Sequence, residues 1–159
     1  MPKIMLHYDH GSDRAGLEWF FEKFRSYDIP IDVIGVSYYP WWHGSLLDLR
    51  EGVNFVATEY DIDVIVVETA YHWRENGGTK PAGSLPFPET SDGQKAFLQA
   101  VHEVVLAVPG GHGKGVFWWE PAVGGRGGIS SRGCFDGDNN ALPALTTFDS
   151  WALPLRTRD

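Results

Sequence analysis

The chain has 159 residues, 43% of them hydrophobic, and its 21 acidic residues against 13 Lys and Arg give a formal net charge of −8. Nucleic acids and anionic membrane surfaces bind to basic faces, so we expect neither as a partner. No apolar run approaches the roughly 18 residues of a membrane span, and the single cysteine, Cys134, excludes an intrachain disulfide and a CxxC motif. The length favours one domain over residues 1–159.

Strand-like and helix-like segments alternate in the first half of the chain. Residues 3–8 form a short apolar run that predicts a strand, and Asp13 can cap a helix over residues 14–27. A second strand is predicted over residues 32–39, followed by a helix over residues 46–60 with its apolar residues on one face. This is two strand-then-helix units in succession.

The second half repeats the pattern with longer loops. The predicted elements are a strand at residues 63–68, a Gly- and Pro-rich surface loop at 74–90, a helix from Ser91 or Asp92 to about residue 108, a strand at 115–120, a Gly-rich loop to residue 133 and a short helix at 141–150. Strands that alternate with helices predict a parallel sheet with right-handed crossovers. The fold class is therefore α/β, with about four βα units.

Glu68 places a carboxylate at the end of an apolar strand. Residues 64–67 are all Val or Ile without polar alternation, which is typical of a strand covered on both faces. Glu68 then stands at the carboxyl end of that strand, where α/β barrels and open α/β sheets build their functional sites. The alternative, that Glu68 only pairs with an arginine, stays open at this point.

Three other patterns fail on spacing. Residues 111–115 (GHGKG) lack the earlier Gly and the following Ser or Thr of a phosphate-binding P-loop, and they precede a strand rather than follow one. His102-Glu103 lacks the second His of a zinc-binding helix. Asp136 opens a stretch (DGDNN) that resembles a calcium loop, but no Glu stands at the twelfth position, which favours a self-satisfied turn.

Three motifs in register resemble the last strands of glycoside hydrolase family 53. They are residues 32–44 (DVIGVSYYPWWHG), 66–71 (VVETAY) and 116–122 (VFWWEPA), and residues 94–98 and 135–145 are also similar to that family. Its members are endo-β-1,4-galactanases that cut arabinogalactan, built as (βα)8 TIM barrels with the acid and the nucleophile on strands four and seven. The resemblance implies that this chain is a (βα)4 half-barrel, corresponding to strands five to eight.

The resemblance also implies roles for residues at the strand ends. Glu68 corresponds to the catalytic nucleophile, and Trp119 is expected to stack on the sugar at the cleavage point. Further substrate-binding residues are expected at His7, Asp9, Ser37, Tyr38, Trp41, Trp42, His43 and Tyr71. For each aromatic residue taken singly, packing at the top of the barrel is an open alternative, because large rings fill such positions without a ligand.

The second carboxyl group of the reaction is expected to be missing. The resemblance begins at the family's fifth strand, whereas a retaining glycosidase needs an acid/base residue about 5 Å from its nucleophile. A half-barrel would also leave two open sheet edges, which predicts a homodimer that closes a pseudo-barrel. In that dimer Glu120 of a second chain would face Glu68, as a hypothesis for the second carboxylate.

Two functions remain open. One is hydrolysis of β-1,4-galactosidic bonds in arabinogalactan through Glu68, and the other is a catalytically inactive half-barrel that only binds galactan or another β-linked oligosaccharide. No cofactor is expected, except that the family can carry calcium in late loops, where Asp136, Asp138 and Asn140 offer oxygen ligands. Members are typically secreted, but the start of this chain predicts no signal peptide, which leaves its localisation open.

Overall fold

A computed structural model describes residues 2–75, 85–123 and 130–150. Strands and helices alternate as predicted: β1 (Met5–Tyr8), α1 (Arg14–Arg25), β2 (Val33–Tyr38), α2 (Leu46–Tyr60), β3 (Asp63–Thr69), α3 (Ser91–Leu106), β4 (Gly113–Trp118) and α4 (Leu145–Ser150). Two single 3₁₀ turns, Pro109–Gly111 and Ser130–Arg132, lie before β4 and before α4. None of the helices in these ranges is long and apolar enough to cross a bilayer.

The four strands form one parallel sheet in the order β1-β2-β3-β4. This confirms the α/β class and the half-barrel prediction. Strand β2 is buried along its whole length, whereas the outer strands expose large apolar side chains, Met5 at 42% on β1 and Phe117 at 61% on β4. In the part of the chain that the structure describes, β1 and β4 are therefore the open edges of the sheet.

Local sequence explains where the first two helices begin. The Asp13 side chain accepts a hydrogen bond from the Gly16 backbone N–H and caps α1, as predicted. Ser45 and Asp48 form a capping box at the start of α2. A Cβ on Gly52 of α2 would lie only 2.1 Å from the carbonyl oxygen of Gly11, so the helix can approach the β1–α1 loop only because this residue is glycine.

The chain divides into two compact units. Of the described residues, the first unit holds 2–70, 85–86 and 100–119, which include the sheet, α1, α2 and the second half of α3. The second unit holds residues 71–75, 87–99, 120–123 and 130–150, which include the first half of α3 and all of α4. The single domain over residues 1–159 stays a prediction.

The predicted boundaries differ from the observed ones mainly near the carboxyl terminus. Strand β4 begins at Gly113 and ends at Trp118, so Glu120 lies beyond the strand, exposed and with a left-handed φ of 49°. Helix α4 is shorter than predicted because Ala141 pairs with Phe135 in an isolated antiparallel bridge. Residues 76–84 of the predicted surface loop and residues 124–129 of the Gly-rich loop lie outside the described residues.

Candidate active site

A β-bulge in β3 decides where the Glu68 side chain points. Val36 of β2 pairs with Val66, but the next residue, Ser37, pairs with Glu68, so Val67 is an extra residue in β3. In a regular strand Glu68 would follow Val64 and Val66 onto the buried face beneath the helices, because side chains alternate between faces. The bulge instead turns Glu68 to the face that carries Ser37.

The other neighbouring strand shows the same irregularity. Val66 pairs with Val116 of β4, while Thr69 pairs with Trp118, so β3 gains one residue against β4 over the same interval. Both neighbours of β3 therefore place the bulge between Val66 and Thr69. Bulges that re-aim a side chain are frequent next to active sites.

Glu68 is half-buried and accepts two hydrogen bonds, both through Oε2. The donors are the Ser37 hydroxyl at 3.2 Å and the Tyr39 hydroxyl at 3.2 Å. Among the described residues, none donates to Oε1 and none forms an ion pair with this carboxylate. The arrangement fixes one oxygen with neutral donors and leaves the other available for chemistry.

His7 extends this hydrogen-bonded group to β1. Its Nε2 lies 2.8 Å from the Ser37 Oγ, while Ser37 itself is buried. The imidazole is exposed on the sheet face. The structure thus brings together three residues of the predicted set, one from each of β1, β2 and β3; Asp9, two residues after His7, is exposed in the loop that follows β1.

The loop after β2 is organised around His43. The Tyr39 backbone N–H donates to its Nδ1 at 3.1 Å, so the neutral ring carries its proton on Nε2. The ring of His10 stacks on His43 with centroids 4.4 Å apart. Burial lowers the pKa of His43, and the neighbouring His10 lowers it further.

Two residues of this group, Tyr39 and His10, were missed as site residues in the sequence. The side-chain alternation of β2, continued one residue past its end, places Tyr39 on the same face as Ser37, and that signal could have identified it. Tyr38 behaves differently, since it is fully buried and its hydroxyl donates to the Gly44 carbonyl at 3.1 Å. It supports the loop from beneath, and any contribution to substrate contact stays a prediction.

Exposed tryptophans follow β2 and β4, the strands on either side of β3. Trp42 is 60% exposed and packs edge-on against Tyr39 with centroids 5.4 Å apart. Trp119 is 46% exposed, and its backbone N–H donates to the Thr69 carbonyl at 2.8 Å. Trp41 is half-buried beside Tyr39. Apolar rings presented to solvent at strand ends are surfaces on which sugar rings can stack.

Tyr71 belongs to the second unit and is buried there. Its ring stacks on Phe97 with centroids 4.5 Å apart, and its hydroxyl donates to the Phe87 carbonyl. Burial raises the pKa of Tyr71 to about 12. The hydroxyl is thus already committed within the unit, and the predicted contact of Tyr71 with substrate stays a prediction.

His72 is the other buried polar residue that follows β3. Its Nδ1 lies 2.6 Å from the Ser131 Oγ. Burial, with a smaller contribution from the positive charge of Arg132, lowers the pKa of His72 to about 4. A neutral histidine that is hydrogen-bonded inside the unit holds residues 71–73 against the segment around Ser131, to which the Trp73 N–H also donates.

The residues predicted as calcium ligands form a closed turn. The Asp136 carboxylate accepts hydrogen bonds from the backbone N–H groups of Asp138 and Asn140 and from the Asn140 side chain, at 2.8–3.0 Å. These bonds lower the pKa of Asp136. Within the described ranges no group of three or more His, Cys, Asp or Glu side chains is arranged to hold a metal ion. Calcium binding stays an untested prediction.

Comparison with known proteins identifies the family. The model of glycosyl hydrolase family 53 matches residues 1–148. The endo-beta-1,4-galactanase of Bacillus subtilis is 34% identical over 126 residues, which cover 75% of this chain and 29% of that protein. A probable arabinogalactan endo-beta-1,4-galactanase A of Aspergillus terreus is 35% identical over 143 residues, covering 82% of this chain and 39% of that protein.

A solved structure extends the likeness to the fold. The GH53 catalytic domain of Ignisphaera aggregans matches with a TM-score of 0.80 at 23% identity, over 92% of this chain and 46% of that chain. The chain therefore spans less than half the length of the relatives it matches. The extent of the family match and the shared half-barrel fold lead to one conclusion: this chain belongs to glycosyl hydrolase family 53.

Proposed function

We propose that the chain carries the nucleophile of a retaining β-1,4-galactanase, and that Glu68 is that nucleophile. The observation that supports this role most directly is the state of its carboxylate, with Oε2 held by two hydroxyl donors and no described donor on Oε1. A nucleophilic carboxylate must be rigid and must keep one oxygen available to the anomeric carbon. Two relatives named as galactanases support a β-1,4-galactan as substrate.

In the proposed reaction, Glu68 Oε1 attacks the anomeric carbon of the bound galactose. The glycosidic C–O bond breaks, its electron pair stays on the departing oxygen, which takes a proton from the second carboxyl group, and a glycosyl ester of Glu68 forms. A water molecule then gives one proton to the second carboxylate, attacks the same carbon with its oxygen, releases Glu68 as a carboxylate and yields the sugar with retained configuration. Both steps use two carboxyl groups and require no cofactor.

We further propose that the exposed tryptophans bind the sugar chain. Trp42 and Trp119 present their rings after the two strands that flank β3. A galactose ring has an apolar face formed by its C–H groups, which packs well on an indole. His43, whose neutral tautomer carries a proton on Nε2, would supply a hydrogen-bond donor to a sugar hydroxyl.

The acid/base carboxyl group is proposed to come from a second half-barrel. Exposed apolar side chains on both edge strands, Met5 and Phe117, support docking of further βα units there. The source is either the half of the barrel that the longer relatives contain or a second copy of this chain, whose Glu120 would then be the second carboxylate. A molar mass in solution of two chains supports the homodimer, whereas a monomer contradicts it.

The nucleophile can be tested without the acid. A 2-deoxy-2-fluoro-β-galactoside with a dinitrophenolate leaving group needs no proton, because dinitrophenolate departs with the bonding electron pair. We expect the full chain to form a stable ester that peptide mass spectrometry locates at Glu68. Glu51→Gln, on the exposed surface of α2, is the matched control and should label at the wild-type rate. An unlabelled chain that still binds β-1,4-galacto-oligosaccharides would instead indicate the inactive carbohydrate-binding function.

A further inference from the structure

We propose that His7 is a positioning residue that acts on Glu68 through Ser37, rather than a ligand of the sugar. The three groups form a directed chain in which His7 Nε2–H donates to Ser37 Oγ and the Ser37 hydroxyl donates to Glu68 Oε2. This inference rests on the proposed function of Glu68 as nucleophile. It replaces the separate substrate-binding roles that the family resemblance implied for His7 and Ser37.

The backbone brings the three side chains together across three strands. His7 pairs with Gly35 of β2, and Ser37 stands two residues further along β2 on the same face. Gly35 has no side chain to separate the His7 ring from Ser37, so the ring can reach its diagonal neighbour. Ser37 in turn pairs with Glu68, which the bulge at Val67 turned to this face.

Proton counting gives the chain its direction. The Ser37 hydroxyl has one proton, and an ionised carboxylate can only accept. Because Ser37 donates that proton to Glu68, its 2.8 Å contact with His7 must have His7 as the donor. His7 therefore carries a proton on Nε2. With the proton only on Nδ1, Ser37 would donate to His7 instead, and Tyr39 alone would hold Glu68.

The consequence for Glu68 is orientational. Two donors, Ser37 on β2 and Tyr39 directly after it, converge on Oε2; they fix the plane of the carboxylate and leave Oε1 without a described donor. A single donor lets the carboxylate rotate about its last side-chain bond, which removes a rigid attack geometry. His7 thus controls the nucleophile without a contact to the sugar.

The labelling rate of the fluorogalactoside measures this effect. We expect His7→Leu and Ser37→Ala each to slow labelling by about tenfold, the order expected for loss of one hydrogen bond to a charged group. His7→Gln should restore most of the rate, because its amide can donate from near the position of Nε2. His112→Gln, the same substitution at the opposite end of the sheet, is the matched control and should leave the rate unchanged.

A double substitution separates positioning from sugar binding. If His7 acts only through Ser37, then adding His7→Leu to Ser37→Ala slows labelling no further. Slowdowns that multiply, or a His7→Gln variant as slow as His7→Leu, would overturn the proposal and return His7 to a direct substrate contact. Thermal unfolding of each variant identifies any that fails to fold.

The tautomer of His7 tests the proposed series of hydrogen bonds from His7 through Ser37 to Glu68, even if the protein is not labelled. In ¹⁵N-edited NMR spectra of the full chain, we expect the proton of the neutral His7 ring on Nε2. A ring protonated on Nδ1 alone overturns the inference whatever the activity. Conversely, a wild-type chain that never labels Glu68 but shows the Nε2–H tautomer contradicts the proposed function and leaves the hydrogen-bonded chain intact.

Discussion

Two carboxylates stand at opposite ends of β3, and they are held in different ways. Asp63 at the amino end lies 3.1 Å from His112 Nδ1, 3.2 Å from Lys114 Nζ and 3.7 Å from Lys3 Nζ. Near the carboxyl end, the partners of Glu68 among the described residues are the neutral hydroxyls of Ser37 and Tyr39. Lysine side chains neutralise the charge of Asp63, whereas hydroxyl groups orient the carboxylate of Glu68 without neutralising it.

The surroundings of Asp63 suit a structural role, whereas those of Glu68 suit the nucleophilic role proposed for it. Burial alone would raise the pKa of Asp63, but hydrogen bonds from His112 and Lys114 outweigh it and lower the pKa. A carboxylate in such a cluster is a poor nucleophile, because its lone pairs are committed to cations. The amino ends of barrel strands generally serve stability and the carboxyl ends catalysis. The roles proposed for the two ends of β3 follow that division.

The largest expected effect is the loss of labelling when the charge of Glu68 is removed. Glu68→Gln should reduce labelling by the fluorogalactoside on the order of 10³-fold or more, since the amide is not a nucleophile. Its free energy of unfolding should change by only about 0.5 kcal/mol, because none of the ion pairs among the described residues involves Glu68.

Asp63→Asn should have the opposite pattern of effects to Glu68→Gln. It should leave the labelling rate unchanged and lower the free energy of unfolding by about 1 kcal/mol, since the ion pairs are partly exposed. Urea unfolding measures the stability of both variants. Loss of labelling in Asp63→Asn with full stability would break the comparison between the two ends of the strand.

The dependence of the free energy of unfolding on pH should show separate contributions from His72 and Asp63. The pKa of His72 is lowered from its ordinary value to about 4, so the unfolded chain takes up this proton first as the pH falls. The stability that His72 contributes is complete above about pH 6.5 and is lost as the pH falls towards 4, by up to about 3 kcal/mol. The pKa of Asp63 is also lowered, and its contribution is lost only below about pH 4.

Variants assign the two parts of that profile. His72→Asn, which keeps a polar partner for Ser131, should flatten the fall in unfolding free energy between pH 6.5 and 4. Asp63→Asn should flatten only the part below about pH 4. An upper slope that survives in His72→Asn would mean that another group causes it.

A smaller effect is expected from Gly35. A Cβ at this position would lie 3.0 Å from the Met5 sulfur and from both methyl groups of Val67, the bulge residue. Gly35→Ala should therefore push Val67 aside, cost about 1–2 kcal/mol of unfolding free energy and slow the labelling of Glu68. Gly137→Ala is the control, since nothing lies within 4 Å of its added Cβ. Unchanged labelling in Gly35→Ala would show that the bulge tolerates displacement.

The sequence predicted the order of elements well, and for physical reasons. The β-branched run before Glu68, the Asp13 cap and the apolar stripe of α2 are local signals that the observed elements obey. Asp136 was also expected to form a self-satisfied turn, and its carboxylate bonds within residues 136–140.

What the sequence could not predict depends on pairing between strands. A bulge is defined by two neighbours, so nothing within residues 63–68 reveals that Val67 is the extra residue. The convergence of Ser37 and Tyr39 on one oxygen of Glu68 depends on that bulge. His10 was missed because its partner, His43, lies on a different loop and the two rings meet only in the fold.

The bulge at Val67 shifts the side-chain alternation of β3 by one residue. Val64 and Val66 lie before the shift and Glu68 after it, so the number of residues between them, rather than their identity, decides which face of the sheet carries the Glu68 carboxylate. Deleting Val67 would leave a strand of nearly the same hydrophobicity with its carboxylate turned under the helices. Deletion of this one residue is therefore more disruptive than most substitutions at the same position. A design that grafts Glu68 onto another sheet must include the bulge as well, because the extra residue sets the face on which the carboxylate lies.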